Sequence, residues 1–118
     1  MKNDGRVFFK YAVAVAVACM KEEQPKGEVE PEAAAEYIRE ILSLVFSYSG
    51  IDFLVSPMRY PRCAKIPIII TLLGFDKVLL WYYPRMSPSQ LAMELESVLH
   101  SVLADVLDTT SCEEVVAV

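Results

Sequence analysis

Valine and alanine alternate near the start of the chain, in the stretch YAVAVAVACM at residues 11–20. In a strand, successive side chains point to opposite faces, so the valines share one face and the alanines the other. Valine and other β-branched residues also favour strands. The pattern therefore predicts a long first strand over about residues 7–19, with Val13, Val15 and Val17 on its bulky face.

The same stretch has some features of a secretory signal segment. Basic residues precede it, and the Ala-Val-Ala sequence before Cys19 resembles a small-residue cleavage site. An anchor attached to Cys19, as in a lipoprotein, is a further alternative. The apolar run is too short to span a membrane, which needs about 20 residues. We favour the strand, and with it a cytoplasmic protein without a membrane partner.

Two later stretches place apolar residues at helical spacing. The first begins at Pro31, which suits the first turn of a helix, and ends near Gly50. The second begins with the sequence SPSQ at residues 87–90, which offers Ser as the cap, Pro at the first position and Gln three residues after the cap. It is predicted to end near Asp108. Residues 21–30 are polar and predict a loop.

Three shorter apolar runs between these helices predict strands. They cover residues 51–60, residues 64–73 and residues 77–83, and the last two form a hairpin around a GFDK turn. Residues 109–118 predict a short final strand or a free tail. The order β-α-β-β-β-α, with a possible last strand, predicts a single α+β domain over residues 1–118. Its mostly antiparallel sheet would have four to five strands, covered by two helices.

Charge is distributed unevenly in a chain whose net charge is −5. Residues 53–85 hold five basic groups against one acidic group, whereas residues 86–118 hold six acidic groups and no basic one. The basic block is also aromatic, and Trp, Tyr and Arg dominate binding hot spots. It predicts a partner-binding surface for a protein with an acidic segment, or for a second copy of the chain. The candidate residues are Arg59, Tyr60, Arg62, Trp81, Tyr83 and Arg85.

The helix that follows residue 87 keeps an apolar stripe over about five turns, which is long for a small domain. Such a stripe belongs to the core or forms a contact between two copies of the chain. We therefore expect a homo-oligomer. The candidate residues for self-association are Leu91, Leu95, Val98 and Val102.

Motifs for catalysis or cofactor binding are missing from the sequence. The four glycines are isolated, so there is no P-loop, no glycine fingerprint and no G-x-S-x-G motif. The single histidine, His100, is predicted on a solvated helix surface. Cys19, Cys63 and Cys112 are too far apart for a zinc motif and are expected to be reduced and buried. The alternative is one disulfide and one free thiol. We expect no enzymatic activity, no cofactor and no metal.

Two other functions remain open beside our first hypothesis, a small accessory or adaptor subunit that self-associates. An unrecognised metal-dependent enzyme would use Asp52, Asp76 and Lys77. A nucleic-acid-binding protein would use residues 59–85, although residues 88–108 contain no Lys or Arg to bind phosphate. Asn and Gln are scarce, as is typical of thermophilic proteins, so we expect a thermophilic archaeon or its virus as the source. A cytoskeletal or similar machinery would be the setting.

Overall fold

The computed structural model describes the backbone of residues 4–47, 50–58, 65–74 and 76–117, and the side chains of residues 9–47, 50–58, 65–74 and 76–103. The elements in this described part are helix α1 Asp4–Cys19, a short 3-10 helix Lys21–Glu23, helix α2 Pro31–Val45, strands β1 Phe53–Pro57, β2 Ile66–Leu72 and β3 Asp76–Tyr82, and helix α3 Pro88–Ala117. The strands form an antiparallel sheet in the order β1-β2-β3. The predicted α+β class is confirmed.

The predicted first strand is wrong, because the segment forms helix α1. Its buried residues Phe9, Val13, Ala16 and Val17 follow the i, i+4, i+7, i+8 spacing of one helix face, whereas Val15 is 43% exposed. Alanine has the highest helix propensity of all residues, and the alanines between the valines offset their modest preference for strands. The described part of the chain therefore has three α-helices rather than two, and three strands rather than four or five.

Helix α3 begins as predicted and extends further than predicted. The backbone N–H of Gln90 donates to the Oγ of Ser87 at 3.1 Å, and Pro88 occupies the first helical position. The helix continues past Asp108 to Ala117, through the residues predicted as a short strand or tail. No glycine or proline follows Pro88 in the sequence, so the usual stop signals are missing.

Helix α2 and the three strands lie close to their predicted positions. Helix α2 ends at Val45 rather than near Gly50. Pro67, which we expected at an edge or a bulge, lies near the start of the central strand. Its carbonyl accepts a hydrogen bond from the N–H of Met58 at 2.9 Å. Because proline has no N–H, only the reciprocal bond at the end of this ladder is lost.

The hairpin between β2 and β3 is confirmed, with Leu72 opposite Asp76 at its closed end. The turn places Leu73 at a φ of 56° and Gly74 at a φ of 85°. Glycine adopts this left-handed region without steric cost, which explains why it occupies the turn.

Helices α2 and α3 pack on one face of the sheet. Helix α2 contacts β1 and β2, α3 contacts β3, and α1 packs against both α2 and α3. Every second side chain of each strand points into this core. The buried strand side chains that face the helices are Val55, Ile68, Ile70, Leu72, Leu80 and Tyr82.

Two tyrosines meet inside the core, where α2 faces β3. The rings of Tyr37 and Tyr82 pack edge to face with their centroids 6.2 Å apart. The hydroxyl of Tyr37 is buried and has no hydrogen-bond partner in the described part of the chain. Burial, with a smaller effect of Tyr82, raises the pKa of Tyr37 from 10.0 to about 12. The folded protein thus holds this proton more tightly than the unfolded chain, and stability falls as the pH rises from about 10 towards 12.

We expect Tyr37→Phe to keep or increase the free energy of unfolding near neutral pH, because it removes a buried hydroxyl without a partner. Above about pH 10 the variant should lose less stability than the wild type, since its ring has no proton to release. Urea denaturation near neutral pH and above about pH 10 measures the free energy of unfolding of the variant and of the wild type. The control is Tyr11→Phe at a side chain that is 70% exposed. If Tyr37→Phe and Tyr11→Phe lost equal stability at high pH, the assignment would be wrong.

Candidate functional site

The sheet face turned away from α2 and α3 carries apolar side chains that are exposed to solvent. Leu54 of β1 is 68% exposed, and Leu79 and Trp81 of β3 are 41% and 39% exposed. The half-buried Ile69 of the central strand lies opposite Leu79 in the register. We call this surface the outer face. Its residues are Leu54, Ser56, Ile69, Thr71, Lys77, Leu79 and Trp81, and Pro67 points to the same side of the central strand but is buried.

Strand β3 contributes to both faces, because its apolar residues follow one another without interruption. Leu80 and Tyr82 are fully buried against the helices, while Leu79 and Trp81 point the other way. One apolar run in the sequence is thus divided between core and surface. Contiguous apolar surface is uncommon on monomeric proteins and often marks a binding site.

Basic side chains border the outer face. Lys77 lies on it near the start of β3, and Lys65 directly precedes β2. The ammonium of Lys65 lies 5.6 Å from the ring centroid of Tyr83. Arg85 is exposed just beyond the end of β3, and the acidic Asp52 lines a shallow depression where β1 begins. The side chains around the face are therefore mainly positive.

The predicted partner-binding residues are only partly visible in the structure. Trp81 lies on the outer face, Tyr83 is half-buried beyond the end of β3, and Arg85 is exposed. The other three lie outside the described residues: Arg59, Tyr60 and Arg62.

Leu54, Ile69 and Leu79 of the outer face were not predicted. Our sequence criteria were basic charge and aromatic content, and aliphatic strand residues satisfy neither. Leu54 and Val55 are adjacent and both apolar, so the sequence gives no signal for which of the two is exposed. Only the pairing of all three strands brings these side chains onto one surface.

The residues predicted for self-association lie largely inside the chain. Leu91 and Leu95 are fully buried, and Val98 and Val102 are half-buried. The first two are covered by other parts of the same chain, and self-association through this helix stays a prediction. The long apolar stripe of α3 has another use, because α1 packs along it. The packing of α1 against α3 could not be predicted while the first segment was interpreted as a strand.

The residues of the alternative metal-dependent enzyme do not converge. Asp52 precedes β1 and Asp76 begins β3, so the central strand separates them by about 10 Å, which is two strand spacings. Asp52 shares the orientation of Leu54 on the outer face, whereas Asp76 lies opposite the buried Leu72. In the part of the chain that the structure describes, no three potential metal ligands form a cluster.

Two remaining predictions need correction. His100 is half-buried rather than solvated, and its Nε2 has no hydrogen-bond partner among the described residues. Cys19 is free and exposed rather than buried, while Cys63 and the side chain of Cys112 lie outside the described part. Across the helices that were described, none is both long enough and apolar enough to cross a membrane.

Comparison with known proteins gives no family assignment. No family model matches the chain, and neither a curated protein nor a solved structure matches it. The outer face is therefore the basis for proposing a function.

Proposed function

We propose that this protein is a non-catalytic interaction module, an accessory or adaptor subunit that binds a partner protein on its outer face. The observation that carries the proposal is the exposure of Leu54, Leu79 and Trp81 on one surface of the sheet. Removing apolar surface from water contributes about 25 cal/mol per Å² to association, before the entropic costs of binding are subtracted. Trp81 supplies a large, stiff contact of the kind that dominates hot spots.

The partner contributes an apolar segment with acidic side chains near its two ends. Lys77 lies opposite Thr71 of the central strand, and Lys65 precedes the same strand at the other end. Thr71 lies six positions after Lys65, a distance of about 20 Å along a strand. Two carboxylates at this separation would each meet a lysine while the apolar residues between them cover Ile69. Such charge complementarity speeds association and selects the correct partner.

We expect Leu54→Lys to weaken partner binding by at least about tenfold, because it places a charge inside the apolar contact. The change in the free energy of unfolding should stay within about 0.5 kcal/mol, since the side chain is 68% exposed. Tagged protein is purified from its own host, co-purifying proteins are identified by mass spectrometry, and the Kd of each is measured with purified components.

The matched control is Met93→Lys, which adds the same charge to a residue of α3 that is 70% exposed. It should bind the partner like the wild type, because α3 packs on the other face of the sheet. A partner that binds Leu54→Lys and Met93→Lys equally well would exclude the outer face as its site. Weaker binding at higher salt would support the contribution of the lysines.

A further inference from the structure

The outer face offers its side chains, rather than its backbone, to a partner. Its central strand, β2, pairs antiparallel with β1 on one side and with β3 on the other. Hydrogen bonds between strands run within the plane of a sheet, whereas side chains project above and below that plane. A partner segment that lies flat on the outer face must therefore satisfy its own backbone N–H and C=O groups, because buried groups without a hydrogen bond are costly.

The width of the outer face indicates which kind of segment fits it. A helix satisfies its backbone groups internally, whereas a single extended segment would bury unpaired groups against the apolar side chains. Adjacent strands are about 5 Å apart, so the side chains of β1 and β3 lie on two lines about 10 Å apart. One α-helix has a diameter of about 10–12 Å with its side chains. The face is thus as wide as a single helix.

The exposure of the side chains indicates where such a helix would lie. Leu54 of β1 is 68% exposed and Leu79 of β3 is 41% exposed, whereas Ile69 of the central strand is half-buried. The two leucines therefore project on either side of β2. A helix above β2 would pack on Ile69 and contact a leucine on each side. Helices that bind in this way present apolar residues at positions i, i+3, i+4 and i+7.

Positive charges lie at the two ends of the same surface. Lys77 is exposed and lies opposite Thr71 in the register, and Lys65 is exposed and directly precedes β2. The two ends are about 20 Å apart along the strand, and an α-helix covers this distance with about 14 residues. The lysines also disfavour a contact between the outer faces of two copies, because like charges would meet at both ends.

We propose that the outer face binds one amphipathic α-helix of the partner, about 14 residues long, which lies along β2 with a carboxylate near each end. The inference rests on the proposed function and specifies the segment that the partner contributes. The apolar side of the bound helix covers Leu54, Ile69 and Leu79. Its two carboxylates meet Lys65 and Lys77. The sheet is then covered by helices on both faces, since α2 and α3 pack on the other one.

Selection of peptides by the full chain tests the helix. A phage library of random 20-residue peptides is selected for binding to the wild type. We expect enriched peptides with apolar residues at helical spacing and with Asp or Glu about 13 positions apart. A synthetic copy of an enriched peptide should gain helical circular dichroism on binding. Its Kd should rise at least about tenfold for Leu54→Lys and stay unchanged for Met93→Lys, at a residue of α3 that is 70% exposed.

Charge reversal tests the two ends of the surface separately. Lys65→Glu and Lys77→Glu should each raise the Kd of the peptide about three- to tenfold, with the larger effect at low salt. Replacing the acidic residue at one end of the peptide with lysine should restore binding to one of the two variants and not to the other. Such selective rescue requires a helix with a fixed direction on the sheet, and it also shows that the rescued variant is folded.

Four results would overturn the proposal. These are a library without an enriched peptide, enriched sequences in which apolar and polar residues alternate with period two, a bound peptide without helical dichroism, and equal Kd values for Leu54→Lys and Met93→Lys. The proposed function is tested separately, with the partner that co-purifies from the host. A host partner that Leu54→Lys releases, but whose binding segment is not helical, would overturn the helix alone. A host partner that Leu54→Lys still binds would overturn both.

Discussion

Replacing Val13 with aspartate is expected to cost about 4 kcal/mol or more, whereas the same change at Val15 should cost less than about 1 kcal/mol. Val13 is fully buried in α1, and Val15 is 43% exposed on the other side of the same helix. A carboxylate at position 13 would lose its water without gaining a partner. Because domains of this size have a total stability of about 5–15 kcal/mol, Val13→Asp is expected to leave much of the protein unfolded at room temperature.

The comparison is internally controlled, because both changes convert valine to aspartate within the same helix. They alter helix propensity and charge equally, and they differ only in burial. In a strand, positions 13 and 15 would share one face and the two variants would be equally damaging. Urea denaturation followed by circular dichroism measures both. Equal losses would contradict the helix, and a loss confined to Val13→Asp would confirm the orientation of α1.

Elements with local signals were predictable from the sequence. The cap at Ser87 and the proline that follows it act within one turn, and the structure shows the expected bond to Gln90. The turn at Gly74 needs a positive φ, and a glycine in the sequence indicates such a position. Such features depend on neighbouring residues alone, so the rest of the fold cannot override them.

The first segment was not predictable in this way, because its pattern fits two periodicities. Val13 and Val17 are four residues apart, which is two periods of strand alternation and also about one turn of a helix. Phe9 extends both series, being four residues before Val13. Contact with α3 decides between them, and that contact is formed by residues about eighty positions away in the sequence. This error affected the interpretation of α3, because with the first segment taken as a strand its apolar stripe had two interpretations, core or a contact between two copies of the chain.

Predicting the candidate site requires the pairing register of the strands as well as their positions in the sequence. Trp81 stands out in any sequence as a residue that favours interfaces. Leu54 and Ile69 do not, because isolated aliphatic residues in strands are ordinary. Their place on the outer face depends on how β1 pairs with β2, which the sequence does not state.

Leu95→Ala is expected to lower the free energy of unfolding by about 2–5 kcal/mol, because it leaves a cavity in a fully packed core. Leu95 has no exposed surface, and it belongs to the stripe of α3 that α1 and β3 cover. The neighbouring Met93 is 70% exposed, so Met93→Ala should change stability by no more than about 0.5 kcal/mol.

Protein concentration separates this core role from the self-association predicted from the sequence. If Leu95 packs within its own chain, the difference in stability between Leu95→Ala and the wild type is the same at every protein concentration. If Leu95 joined two copies, the difference would grow with concentration, because only the dimer would lose the contact. Urea denaturation over a hundredfold range of protein concentration distinguishes the core role from the self-association role. This is about the range over which a weak dimer changes from mostly monomer to mostly dimer.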